Sequence, residues 1–245
     1  MTNFDKNTVW NGQNFIINAD AVNTFNNWYS ATAVDTRYKH DEEILTEFVP
    51  KLVRSDASFN EIYHIVTLIN SFYSTRMGGD NCYKLAEILH KQNKNILSAV
   101  KTGDEKTVQN IVNIEQEKLD NVPFSFTTKY FSILSRYLHN DDKFPIYDSV
   151  VATMLDFYFH HNGIKNKYYV SSMHKDYISY YNCITNLIDN SKTQYKKLDT
   201  YLWWMGRQVI DNIDQSNPNN PKYFRASYAS QSVNEILDKI FTKIK

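Results

Sequence analysis

The sequence predicts an all-α fold, on three observations. Apolar residues recur at helical rather than strand spacing through most of the chain. Only 6 Gly and 5 Pro occur among 245 residues, too few for the frequent tight reversals of a β-sandwich or barrel. Two Ser-x-x-Glu patterns, Ser58-Phe59-Asn60-Glu61 and Ser232-Val233-Asn234-Glu235, have the form of capping boxes that open helices.

Residues 1–57 are expected to supply N-terminal helices that pack with the C-terminal part. The first capping box opens a helix with Ile62, Ile65, Val66 and Ile69 on its apolar face, ending near Gly78-Gly79. Asp80 is expected to cap the next, which carries Leu85, Ile88, Leu89 and Leu97 and stops at Gly103. A shorter helix spans about Glu105 to Lys118, before Asn121-Val122-Pro123 breaks the chain. Ser125 to His139 reads as an amphipathic helix, because Phe126, Tyr130, Ile133, Leu134 and Tyr137 share one face. A polar loop, Asn140 to Pro145, leads to a helix capped by Asp148, holding Val150, Val151, Met154, Phe157 and Tyr158 and ending at Asn162-Gly163. Further helices are expected near 171–190, 194–213 and 232–244, with Asn217 to Pro221 as the one evident long loop. The expected division is 1–57, a central lobe 58–146 and a C-terminal lobe 147–245.

Composition narrows the function. The 42% hydrophobic and 22% charged residues are those of a globular chain, and no apolar run reaches the length of a membrane span, so a soluble, cytoplasmic protein is expected. Cys82 and Cys183 lie far apart without Cys-x-x-Cys spacing and are expected to be free thiols. No phosphate loop, His-Glu-x-x-His or Gly-x-Ser-x-Gly occurs, and His160-His161 diverge by about 100° on a helix, so neither metal nor cofactor is expected. Lys+Arg and Asp+Glu are both 27. The first 124 residues nonetheless hold 12 basic and 16 acidic residues and the remainder 15 and 11, a shift from −4 to +4. Six lysines between Lys165 and Lys197 face two acids, a cluster suited either to phosphates or to a solvated face.

Two residues carry candidate chemistry. Lys129 lies about 60° from Phe126 on the helical wheel, at the margin of the apolar stripe. There a lysine either snorkels or is partly desolvated, and desolvation favours the neutral, nucleophilic amine. Asp148 is expected to be a carboxylate held by backbone N–H groups at a helix start, which capping alone also explains.

Lys129 and Asp148 stand 19 residues apart, and the stretch Thr128-Lys129-Tyr130-Phe131-Ser132 through Phe144-Pro145-Ile146-Tyr147-Asp148-Ser149-Val150 resembles the helix-hairpin-helix DNA glycosylases, most of all their 8-oxoguanine DNA glycosylase branch. The resemblance implies a two-lobed helical fold with a central cleft. It also implies that Lys129 attacks the sugar of a flipped-out nucleotide and that Asp148 is essential to that chemistry. Upstream, Ile69-Asn70-Ser71-Phe72-Tyr73-Ser74-Thr75-Arg76-Met77 looks like the family's wedge segment. By that similarity Ser71, Phe72 or Tyr73 fills the gap left by the extruded nucleotide and Arg76 contacts the opposite strand, core packing being the other reading of the two aromatics. The family's hairpin carries two glycines whose amides approach a DNA phosphate. Ser125 and Thr127 occupy those places here, and their side chains obstruct so close an approach.

In the family's base-reading position, Trp203 and Trp204 are candidates to line a base pocket, of which at most one stacks, since they point about 100° apart, core packing being the other reading of each. Lys196, Lys197 and Arg207 are candidate phosphate contacts. The expected activity is therefore that of a DNA N-glycosylase, with or without an associated lyase step. It would act as a monomer on DNA bearing 8-oxoguanine or a modified phage base, in repair or in phage defence. The competing expectation is a noncatalytic helical module that binds nucleic acid or protein.

Overall fold

The computed structural model describes residues 6–12, 15–32, 36–73, 77–121, 123–162, 169–216 and 238–239. Among these the fold is all-helical, with ten α-helices and no strand beyond an isolated bridge between Trp10 and Phe15. The helices are α1 (Lys6–Val9), α2 (Ala19–Thr32), α3 (Thr36–Leu52), α4 (Phe59–Phe72), α5 (Gly79–Thr102), α6 (Glu105–Lys118), α7 (Phe124–His139), α8 (Ser149–His161), α9 (Tyr177–Ser191) and α10 (Tyr195–Ser216). The expected 217–221 loop and the second capping box lie outside the described residues, as does the 232–244 helix apart from the helical Asp238 and Lys239.

Local signals account for most helix ends. Ser58 and Glu61 form both halves of a capping box at the start of α4. Gly103 ends α5 at φ +82°, a left-handed conformation that glycine adopts without penalty. Asp104 then caps α6 through the Lys106 N–H at 3.1 Å. Two expectations are corrected. Helix α4 stops at Phe72, short of Gly78-Gly79, and α5 is capped by Gly78 without a side chain, so that Asp80 sits inside the first turn, where its charge complements the helix dipole instead.

The chain divides into two compact units, one of residues 34–147 with 174–182, the other of 1–33, 148–173 and 183–245. In the first, α7 is the central helix, packed against α3, α4, α5 and α6. Apart from the half-buried Ser125, every residue from Phe124 to Ser135 is therefore buried, not one face alone. Three of the hydroxyls brought inside have partners, while that of the fully buried Tyr130 has none among the described residues. Thr128 donates to the Ser125 carbonyl at 3.1 Å, Ser135 to the Asp141 carbonyl at 2.9 Å and Thr127 to Glu115 at 2.6 Å.

In the second unit α10 packs on α2 and α8 around Phe15, Phe25, Phe157 and Tyr201. Gly206 allows the close approach of α8, since a Cβ there would stand 2.3 Å from Val150 Cγ1. Asp156 on α8 accepts from the Val170 N–H and, at 3.0 Å, from the Ser171 N–H, tying down a 3-10 turn at Val170–Ser172. Burial raises its carboxyl above the ordinary range, against the pull of those two bonds. Cys82 is buried and Cys183 half-buried, and neither is in a disulfide. No described helix is long and apolar enough to cross a membrane.

Candidate functional site

Lys129 sits in the second turn of α7, 8% exposed. Its Nζ donates to Ser125 Oγ one turn back, at 2.9 Å, and lies 5.9 Å from the centre of the Tyr73 ring. The amine is thus an enclosed polar group between a hydroxyl and an aromatic face. Two turns further along α7, Arg136 is largely enclosed as well, with its Cζ 5.3 Å from the Tyr137 ring and Nη1 3.8 Å from Glu42. Burial works against its charge, but Tyr73, Tyr137 and Glu42 more than offset this and hold the guanidinium charged.

Thr128, the residue before Lys129, accepts a hydrogen bond from the backbone N–H of Tyr147, the residue before Asp148, at 3.0 Å. The segment Pro145-Ile146-Tyr147 is buried and fixed from a second side by the start of α9. Tyr180 Oη donates to the Ile146 carbonyl at 2.7 Å and Tyr177 Oη to the Pro145 carbonyl at 3.3 Å. The Tyr147 ring packs on Phe124 and Tyr180, with centroids 4.8 and 5.1 Å away. Tyr177 and Tyr180 were missed by sequence reasoning. Their signal is a pair of tyrosines at i, i+3 in the first turn of a helix. Asp148 is the N-cap of α8, accepting from the Val150 N–H at 2.8 Å.

Glu115 on α6 is fully buried beneath α7 and bonded to Thr127 Oγ1. Burial pushes its carboxyl up to about 8, with the Thr127 hydrogen bond pulling the other way. Its second oxygen has no hydrogen-bond partner among the described residues.

The remaining candidates are spread over both units. Ser71 is exposed at the end of α4, Phe72 and Tyr73 are half-buried, and Arg76 lies outside the described residues. The Asn70 side chain closes this segment, accepting from the Met77 N–H at 3.0 Å and donating to its carbonyl at 3.1 Å. Tyr73 covers the Lys129 Nζ. Ser125 serves the same amine, and Thr127 is fully buried with its hydroxyl given to Glu115, so no phosphate reaches Thr127. In the other unit Trp204 is half-buried and packs against Phe25 and Trp28, at 5.2 and 5.6 Å. Trp203 and Lys196 are half-buried and Arg207 is exposed. Lys197 Nζ donates to Asn23 Oδ1 at 2.9 Å.

Residues 19–143 match the HI_0787_N N-terminal domain family, about half of the chain. An uncharacterized protein of Haemophilus influenzae is 30% identical over 168 residues, 68% of this chain and 77% of that protein. The chain belongs to the HI_0787_N family. No solved structure matches it. The HI_0787_N segment contains Ser71, Tyr73, Glu115 and Lys129 and ends before Asp148 and α10.

Proposed function

We propose that this HI_0787_N-family chain is a DNA glycosylase of the helix-hairpin-helix kind, acting in the cytoplasm on duplex DNA that carries an oxidised purine or a modified phage base. A base stacked in a duplex is out of reach of an enclosed amine, so the nucleotide has to be extruded, at a cost of a few kcal/mol in unstacking. Exposed Ser71, with Phe72 and Tyr73 beside it, would occupy the gap. The Lys129 amine then donates its lone pair to C1′, and the glycosidic bond breaks. The base leaves with the electron pair of the broken C1′–N bond and takes up a proton. Opening of the sugar converts the resulting C1′ amine to a Schiff base, from which elimination of the 3′ phosphate would give the lyase step. Asp148, preorganised by backbone at a helix start, would stabilise positive charge growing on the sugar.

The observation that carries this reading is the enclosure of Lys129, held by Ser125 and covered by Tyr73, on a helix whose Thr128 is bonded to the backbone just before Asp148. A solvated surface lysine would have no such surroundings. The competing reading, a noncatalytic binding module, draws on the structural uses those same groups have, since Asp148 caps α8 and Thr127 and Trp204 serve packing. Borohydride trapping separates the two. Wild type is expected to form a covalent adduct with a duplex containing 8-oxoguanine, another damaged base or a phage-type base, and Lys129→Gln to lose the adduct while still binding that duplex. An adduct that persists in Lys129→Gln, or none with any duplex of the panel, refutes the role of Lys129.

A further inference from the structure

Arg136 is an enclosed charge that the chemistry proposed for Lys129 does not use. Its side chain is 15% exposed, and its Nε and Nη2 are buried without a hydrogen-bond partner among the described residues. A guanidinium enclosed with donors unmet costs stability rather than adding it, so packing alone does not account for a charge at this place. Its placement on α7 suggests a use. Arg136 follows Lys129 by two turns, which puts the two side chains on one face of the helix, within about 20° of each other and about 10 Å apart along the axis. One residue of α4 meets both. Tyr73, the C-cap of α4, has its ring centre 5.9 Å from Lys129 Nζ, and its hydroxyl helps to hold the Arg136 guanidinium charged. Arg136 is placed in turn by its other neighbours, with Nη1 3.8 Å from Glu42 of α3 and Cζ 5.3 Å from the Tyr137 ring. Tyr73 is only half-buried at a helix end, so packing grips its ring less firmly than a core ring, and a second point of attachment matters there.

We infer that Arg136 is a positioning residue: set beside Glu42, its guanidinium holds the Tyr73 hydroxyl and so keeps the Tyr73 ring over the Lys129 amine. The ring and Ser125 Oγ together then fix where that amine lies. The importance of this placement for catalysis rests on the reading of Lys129 as the nucleophile, whereas the contact itself is open to test without DNA.

Competitive acetylation of the full chain with trace acetic anhydride reads the cover directly. Mass spectrometry compares the Lys129 peptide with those of the exposed Lys91 and Lys94, which serve as internal standards. Wild type is expected to label Lys129 more slowly than either standard. Tyr73→Phe keeps the ring and removes the hydroxyl, and Arg136→Met keeps the stem and removes the charge. Each is expected to raise Lys129 labelling by about fivefold, the change in population that loss of one hydrogen bond brings. Because both remove the same contact, the double variant should label no faster than either single variant. Should Arg136→Met fail to fold, Tyr73→Phe decides the question alone. In borohydride trapping on a lesion-bearing duplex, the variants that speed labelling are expected to slow adduct formation at Lys129. Raised labelling with no adduct even from wild type leaves the hold of Arg136 on Tyr73 in place and overturns the nucleophile instead. The positioning role is overturned if Tyr73→Phe leaves Lys129 labelling unchanged, if the two substitutions add, if Lys91 and Lys94 rise by the same factor, or if a wild-type adduct forms and the variants form it equally fast.

Discussion

Glu115→Gln is the substitution whose effect the structure determines most directly. Glu115 is fully buried, accepts from Thr127 and carries a carboxyl raised from 4.5 to about 8. A raised acid pKa means that the folded chain holds a proton that the unfolded chain has already released, between about 4.5 and 8. Stability is therefore full below about 4.5 and falls as pH rises through that window. At about 1.4 kcal/mol per unit, the loss reaches about 3 kcal/mol at pH 7 and about 5 kcal/mol above pH 8. Glutamine keeps an acceptor for Thr127 and carries no proton to lose. The stability of Glu115→Gln relative to wild type should rise by about 4–5 kcal/mol from pH 4.5 to pH 8.5, whatever its fixed offset from the extra buried N–H. All four tryptophans, at 10, 28, 203 and 204, lie in the other unit, so fluorescence is the wrong reporter. Hydrogen exchange of α6 and α7 amides across the pH series, alongside urea unfolding followed by circular dichroism, reads the correct region. A difference between variant and wild type that stays constant with pH refutes the buried-acid account.

Three further substitutions test the packing. Gly206→Ala places a Cβ 2.3 Å from Val150 Cγ1 and 3.0 Å from Met154 Cγ, and should cost about 1–3 kcal/mol, read by the tryptophan fluorescence of urea unfolding. Ser58→Ala removes one half of the α4 capping box and should cost about 1 kcal/mol in the same denaturant series followed by circular dichroism. Gly103→Ala forces a Cβ onto a residue at φ +82° and to 3.1 Å from Lys143 Cδ, and should lower stability by about 1 kcal/mol in that assay.

What the sequence made legible is what is decided locally. The Ser58–Glu61 box, the Gly103 stop and the bounds of α6 depend on neighbours a few residues apart, and the structure has them where the pattern put them. The surroundings of α7 were not legible, because four helices from distant sequence enclose it and bury residues that a single amphipathic face would leave wet. Glu115 shows the cost of reading charges as surface. It continues the Val108, Ile111, Val112 stripe of α6 at helical spacing, a placement that signalled burial. The Lys129 position at the edge of an apolar stripe was readable, but its partners Ser125 and Tyr73 required the packing of α4 on α7. The contacts of Trp204 with Phe25 and Trp28 of α2 could not be read from α10 alone, because they depend on how the two helices pack.

The central claim is that one enclosed amine meets C1′ of an extruded nucleotide. Peptide mapping by mass spectrometry after borohydride reduction on a lesion-bearing duplex locates the bond directly. The account predicts a single deoxyribose-derived adduct on the peptide containing Lys129. An adduct on the exposed Lys91 or Lys94, a scatter over several lysines, or an unmodified Lys129 peptide contradicts it.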